Sequence, residues 1–362
     1  MYTLAFDALD ELVALLGRDG RTVLGPVLRD GTLTLGTITS AADLPRGTTV
    51  DPRPGAVRLR SRGDDATFGY VVGPDATKRW LYPPRAELWR AVPTDDGGFT
   101  IDAPPREQLG FAFLGLRACD LAALAIYDRV LLDGPYADPI YASRRADTLI
   151  VAVQCAEAAE TCFCASMGAG PRVHAGYDLC LTEIVGSHFV VEVGSDAGQR
   201  LVDQLPVGPA RPSDHDAPQH AAAAAAVQSR VLPNDIDARL ARSLDAARYD
   251  DIASRCLGCS SCTMVCPTCF CTTTEATTTL DGEAVHARRW DSCFDPAFTD
   301  LHGHAVRDGV GVRYRQWITH KLSTWSAQFD TRGCVGCGRC IAWCPAGIDL
   351  VAEALALGSD HG

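Results

Sequence analysis

The chain has no surplus of positive charge: 33 Lys and Arg face 45 Asp and Glu, for a formal net charge of −12. That balance excludes a protein whose main task is gripping nucleic acid, because neutralising phosphates requires clustered cations. The pairs Arg144-Arg145 and Arg288-Arg289 read as solvated faces or local ion pairs. Long apolar runs are missing too, and nothing approaches the roughly 20 residues that cross a bilayer. The start, "MYTLAFDALDELVALLGRDG", spaces acidic residues through an amphipathic helix. It has neither the basic front and apolar middle of a secretory signal nor a twin-arginine pair. The expectation is a cytoplasmic protein that engages neither membrane nor nucleic acid. Ser–His–Asp, HExxH and Walker patterns are absent. "SMGAGP" (166–171) lacks the strand–GxGxxG–helix frame of a dinucleotide site and reads as a tight turn. "HGH" at His302 to His304 is too weak a signal to assign, and His215 and His220 read as solvent-facing.

Cysteine, by contrast, is abundant. Sixteen cysteines in a reducing compartment argue against a disulfide framework and for metal. The remaining composition, 47% hydrophobic and 22% charged, is that of a chain with a proper core, and 362 residues suggest two domains. From residue 1 to about 207, short apolar runs alternate with helical stretches. "FGYVVG", "FAFLGL", "DTLIVAVQC" and "HFVVEVG" read as strands, and "CDLAALAIYDRVLL" as a helix with Asp120 capping its amino end. This predicts an α+β or α/β N-terminal domain. Residues 208–232, rich in Pro, Asp, His and Ala, read as a linker with a short alanine helix. From 233 to 362 the expectation is a mainly α-helical domain, with Ile236, Leu240 and Leu244 on one helical face and no strong strand signal near its motifs.

Two segments of that second half share one spacing. Cys256, Cys259, Cys262 and Cys266 precede Pro267, and Cys334, Cys337, Cys340 and Cys344 precede Pro345. Each is C-x2-C-x2-C-x3-C-P, the bacterial ferredoxin run for 4Fe–4S clusters. Three thiolates two residues apart wrap one cubane, and the fourth is carried toward the neighbouring one. The crossing rule therefore assigns Cys256, Cys259, Cys262 and Cys344 to one cluster, and Cys334, Cys337, Cys340 and Cys266 to the other. Gly258, Gly336 and Gly338 let the backbone turn closely, and the two prolines fix the chain direction after the last ligand. The competing reading is a zinc-binding structural protein, but zinc sites need four ligands, not two full runs ending in Cys-Pro. A long insertion, 268–333, separates the runs and carries "RRWDSCF" and "RYRQW".

Outside these eight remain Cys119, Cys155, Cys162, Cys164, Cys180, Cys269, Cys271 and Cys293. The tetrapeptide "TCFC" occurs twice, at 161–164 and 268–271. Its C-x-C pairs are too close together to be independent core fillers, and the intervening Phe would face the opposite way and shield the site. Cys119, Cys155, Cys162, Cys164, Cys269, Cys271 and Cys293 are therefore candidates for an additional Fe–S cluster. The alternative for each alone is a small buried hydrophobe. Cys119, at a helix start, is expected to have a lowered pKa.

"GLRACDLAALAIYDRVL", "RRADTLIVAVQCAEAAETCFCASMGAGP", "DLCLTEI", both cysteine runs and "RRWDSCF" together resemble the iron–sulfur β subunit of sulfhydrogenase-type NiFe hydrogenases. They are similar in kind to the dicluster iron–sulfur subunit of anaerobic sulfite reductase, which falls in the same group. The resemblance implies an electron-transfer subunit with no catalytic residues of its own. It would relay electrons between a flavin subunit handling NAD(P)H and a hydrogenase catalytic module, or alternatively a sulfite reductase one.

Overall fold

The computed structural model of the protein describes residues 1–103 and 109–359. An eight-stranded sheet organises the first half. Its spatial order is Val207–Pro209, Tyr2–Leu4, His188–Val193, Leu179–Ile184, Thr148–Val153, Phe111–Leu116, Thr22–Arg29 and Thr32–Thr37. The four strands Leu179–Ile184, Thr148–Val153, Phe111–Leu116 and Thr22–Arg29 run parallel to one another, and antiparallel strands flank them on both sides. The two central parallel strands, Phe111–Leu116 and Thr148–Val153, are apolar almost throughout, and period-two alternation explains why. Ala112, Leu114, Val151 and Val153 face one core with helix Leu9–Leu16, while Phe111, Phe113, Ile150 and Ala152 face the other with helix Ala118–Leu131. A sheet covered on both faces needs continuous apolar strands. Asp120 caps the latter helix as expected, its Oδ2 accepting from Arg117 N at 3.1 Å.

"FGYVVG" (68–73) is not a strand. Its backbone groups are taken by side chains instead of a ladder: Glu183 accepts from Thr67 N and Phe68 N, Arg62 donates to Gly69 O, and Arg117 donates to Phe68 O and Tyr70 O. Satisfying backbone groups with buried ionic side chains removes the need for a neighbouring strand.

The second half has helices Ile236–Arg242, Arg248–Arg255, Ser261–Met264, Val310–Thr319, Trp325–Phe329, Arg339–Ala342 and Leu350–Ser359. Its core joins Ile236, Leu240, Ile252, Trp317, Ile318, Ile341, Leu350 and Leu357. Leu244, expected on the same face, is 44% exposed, because the helix breaks after Arg242 and resumes at Arg248. The expectation of a mainly helical unit is not met in the insertion. Strands Thr272–Thr278 and Ala284–Trp290 form a hairpin, and the second of them pairs antiparallel with Arg85–Pro93, which in turn pairs with Phe99–Asp102. The threonine-rich run after Cys271 is β-branched, and that propensity carries it into a sheet shared with the first half. Between the halves, residues 208–232 include helix Ala217–Ala225.

Candidate metal centre

The two cysteine runs follow one backbone path. Gly258 and Gly336 have φ of 61° and 65°, and Ser260 and Gly338 have 66° and 74°; each run then enters a one-turn helix, Ser261–Met264 or Arg339–Ala342. Left-handed residues curl the chain so that thiols two residues apart point inward together. Ser260 tolerates a conformation that the second run entrusts to glycine.

Cys256, Cys259, Cys262, Cys340 and Cys344 line one cavity of about 30 Å³, closed on its apolar side by Phe294, Tyr314 and Trp317. Burial pushes the Cys256 and Cys262 thiols up, and Cys344 repels both. Burial likewise pushes Cys334 up to about 12, with Cys266 and Cys337 adding to it. Cys340 is raised in the same way, by burial and then by Cys334, Cys337 and Cys266. The chain thus brings Cys266 beside the second run and Cys344 beside the first. Backbone N–H groups face the sulfurs, Gly336 N to Cys334 Sγ at 3.4 Å and Ile348 N to Cys344 Sγ at 3.3 Å. Among the described residues no three His, Cys, Asp or Glu side chains close on a single metal ion. Cysteines of both ferredoxin-spaced runs meeting in one place fit 4Fe–4S ligation.

Both "TCFC" segments dock on the loop of the second run. Phe163 N donates to Gly336 O at 2.9 Å, and a side chain at Gly336 or Gly338 would strike Phe163, Cys164 or Thr161. Thr268 Oγ1 donates to Gly333 O at 2.7 Å. Phe163 is fully buried in the helical core, while Phe270 stacks edge-on against Trp325. The seven additional candidates are not one group. Cys119, Cys155, Cys162 and Cys164 line a single cavity. Cys269 lies instead against Cys266, and Cys271 against Cys293. Cys180 is buried in the sheet core, its Sγ accepting from Gln154 Nε2 at 3.3 Å. Cys119, expected to titrate low, is pushed well up by burial and by Asp120 next to it. A helix start cannot offset a dry, acidic setting.

Two buried cations complete the centre. Lys321 Nζ lies 3.0 Å from Cys266 Sγ, 3.4 Å from Cys269 Sγ and 3.3 Å from Thr268 Oγ1. It sits in a single π-turn, His320–Thr324, between two α-helices, a local irregularity that recurs at functional sites. Burial works against its charge, yet the Cys266 and Cys269 sulfurs outweigh burial and hold its pKa well up. Cys266 itself is drawn well down, first by the Cys269 thiol donating to it and then, against burial, by Lys321. Lys78 Nζ donates to Thr263 O at 3.2 Å and Cys269 O at 3.4 Å, and lies 4.3 Å from the Trp290 ring centroid. Sequence reasoning missed both, although the signal was there: they are the only two lysines in the chain, against 31 arginines. Where arginine serves nearly every exposed need, a retained lysine marks a place for a compact charge.

Residues 255–348 match the 4Fe-4S dicluster domain family. The chain is 32% identical over 251 residues to sulfhydrogenase 2 subunit beta of Pyrococcus furiosus, an alignment covering 67% of this chain and 72% of that one. The chain belongs to the sulfhydrogenase β-subunit family. No solved structure matches it. Membership brings a 4Fe–4S dicluster domain and an iron–sulfur electron-transfer role to this β-type chain. Among its described residues no helix is long and apolar enough to cross a membrane.

Proposed function

We propose that the chain is the electron-relay subunit of a NiFe hydrogenase complex, passing single electrons between a flavin subunit that handles NAD(P)H and the hydrogenase module. The observation that carries this reading is the meeting of two identically spaced cysteine runs, with Cys344 beside the first and Cys266 beside the second. In it Cys256, Cys259, Cys262 and Cys344 hold one 4Fe–4S cluster, and Cys334, Cys337, Cys340 and Cys266 hold the other. Bound there, the clusters supply one-electron acceptance and release.

The chain's own residues prepare for that charge. Lys321 places a fixed cation against Cys266, which favours a more negative site. Phe294, Tyr314 and Trp317 keep water from the first thiols, and the N–H groups of Gly336 and Ile348 face sulfur. The Pyrococcus relative's name supports a hydrogenase partner.

The test is to purify the native complex without oxygen, identify its subunits, and record iron, sulfide and electron paramagnetic resonance after reduction. A flavin subunit together with a nickel-bearing one and a reducible iron–sulfur signal are expected. A sirohaem partner replaces the hydrogenase assignment with the sulfite reductase one, and a colourless protein carrying zinc ends the electron-relay reading altogether.

A further inference from the structure

Four cysteines outside the two runs meet at the carboxyl ends of the parallel strands. Strands Phe111–Leu116 and Thr148–Val153 are parallel neighbours, with Leu116 opposite Ala152 after a bulge at Gly115. Beyond Leu116 the chain enters helix Ala118–Leu131, with Cys119 in its first turn, and Cys155 follows directly after Gln154 at the end of the other strand. The crevice outside the carboxyl ends of such strands is where open α/β sheets bind ligands. Cys162 and Cys164 reach the same crevice from the first "TCFC" loop, which docks on the second cysteine run.

We propose that Cys119, Cys155, Cys162 and Cys164 hold a third iron–sulfur cluster, of the 4Fe–4S class, in contact with the second run through Cys337. The proposal rests on the electron-relay reading above and extends it into the N-terminal half.

The geometry supports this in four ways. All four thiols line one cavity of about 30 Å³, the same room as the cavity between Cys256, Cys259, Cys262 and Cys344. Arg117 lines the cavity and is 3% exposed; its terminal nitrogens are anchored on Gln154 O, Phe68 O and Tyr70 O, and its Nε has no hydrogen-bond partner. Asp120 and Glu183 already lie near this cation, and thiolates on a cluster would add to that negative charge in the same crevice. Gln228, from the segment between the halves, donates its Nε2 to Cys164 Sγ at 3.2 Å and accepts at Oε1 from Ala165 N at 3.1 Å. It thereby presents a donor to sulfur in the manner of a second shell that sets potential. Finally, Gly336 and Cys337 line the cavity as well, so the third site adjoins a ligand of the second.

Cys269, Cys271 and Cys293 form no fourth site of this kind. They offer three thiols, and Lys321 is shared between Cys269 and the Cys266 of the second run.

The experiment compares the full-length chain, purified by itself without oxygen, with its Cys155→Ser/Cys164→Ser and Gln228→Leu variants, reading iron per chain and the reduced resonance spectrum. Three cubanes give about 12 irons, two give about eight. The expected results are about 12 in the wild type, loss of about a third of the iron in the double variant with the dicluster signals intact, and an unchanged count with one shifted signal in Gln228→Leu. About eight irons in the wild type overturns the third cluster and leaves the dicluster reading standing. About 12 irons that the double variant retains overturns the ligand assignment. If the double variant fails to fold, Gln228→Leu decides: a spectrum identical to wild type overturns the proposal. Wild-type protein with no iron fails the electron-relay reading itself.

Discussion

At the scale of single residues, electrostatics in a dry interior outweighs local sequence rules. Cys119 stands in the first turn of a helix, where a thiol is ordinarily acidified, and burial beside Asp120 reverses the effect. Cys266 goes the other way because Cys269 and Lys321 both donate to it. Lys321→Met removes a fixed cation from the second site while keeping the length of the side chain. Its expected consequence is a midpoint potential lower by roughly 60 mV, the one-electron equivalent of a tenfold change in equilibrium, in a redox titration followed by paramagnetic resonance. An unchanged potential would mean that solvent screens the charge and that Lys321 serves packing alone. A substitution at Lys78 should act less on potential, since Lys78 faces backbone carbonyls and the Trp290 ring instead of sulfur.

At the scale of elements, the chemistry was easier to read than the framework around it. The spacing from Cys256 to Pro267 and from Cys334 to Pro345 is a local rule, so the ligand runs were plain in one dimension. Strands Phe111–Leu116 and Thr148–Val153 and helix Ala118–Leu131 were legible because their apolar patterns agree with their burial. "FGYVVG" misled for the opposite reason: besides the nearby Arg62, its partners are Arg117 and Glu183, distant in sequence. The hairpin Thr272–Trp290 was hidden by its cysteine-rich surroundings, although its threonines favour a strand. The division of the spare cysteines into separate groups depends on tertiary placement and no spacing encodes it. The hairpin's hold on the first half is testable at Trp290, whose Nε1 donates to Tyr82 O at 2.8 Å while its ring covers Lys78. Trp290→Ala should cost about 2–3 kcal/mol in denaturant unfolding, less than the about 3–5 of a fully buried tryptophan, and make Lys78 accessible to amine-specific labelling. Stability and labelling both unchanged would show that the hairpin is a surface ornament.

Across the whole molecule, the two halves are joined by ionic anchors as well as by the shared sheet. Arg339, from the second cysteine run, is 3% exposed and donates to Asp120 Oδ1 at 2.8 Å, Gly73 O at 2.7 Å and Asp75 O at 3.2 Å. Removing one partner of a buried pair strands the other's charge, at about 3–5 kcal/mol. Asp120→Ala should therefore lower global stability by that amount, with one cooperative transition by both circular dichroism and cluster absorbance. Two separated transitions would instead mean that the halves fold independently and that the anchor is only a hinge.

The strand Ala284–Trp290 closes a sheet begun by Arg85–Pro93, and the Trp290 bond to Tyr82 spans 208 residues of chain. During synthesis the earlier strand must wait, one edge unpaired, until the ribosome has delivered both the first cysteine run and the hairpin behind it. Newly made chains are thus exposed to edge-to-edge association for longer than a chain of tandem units would be.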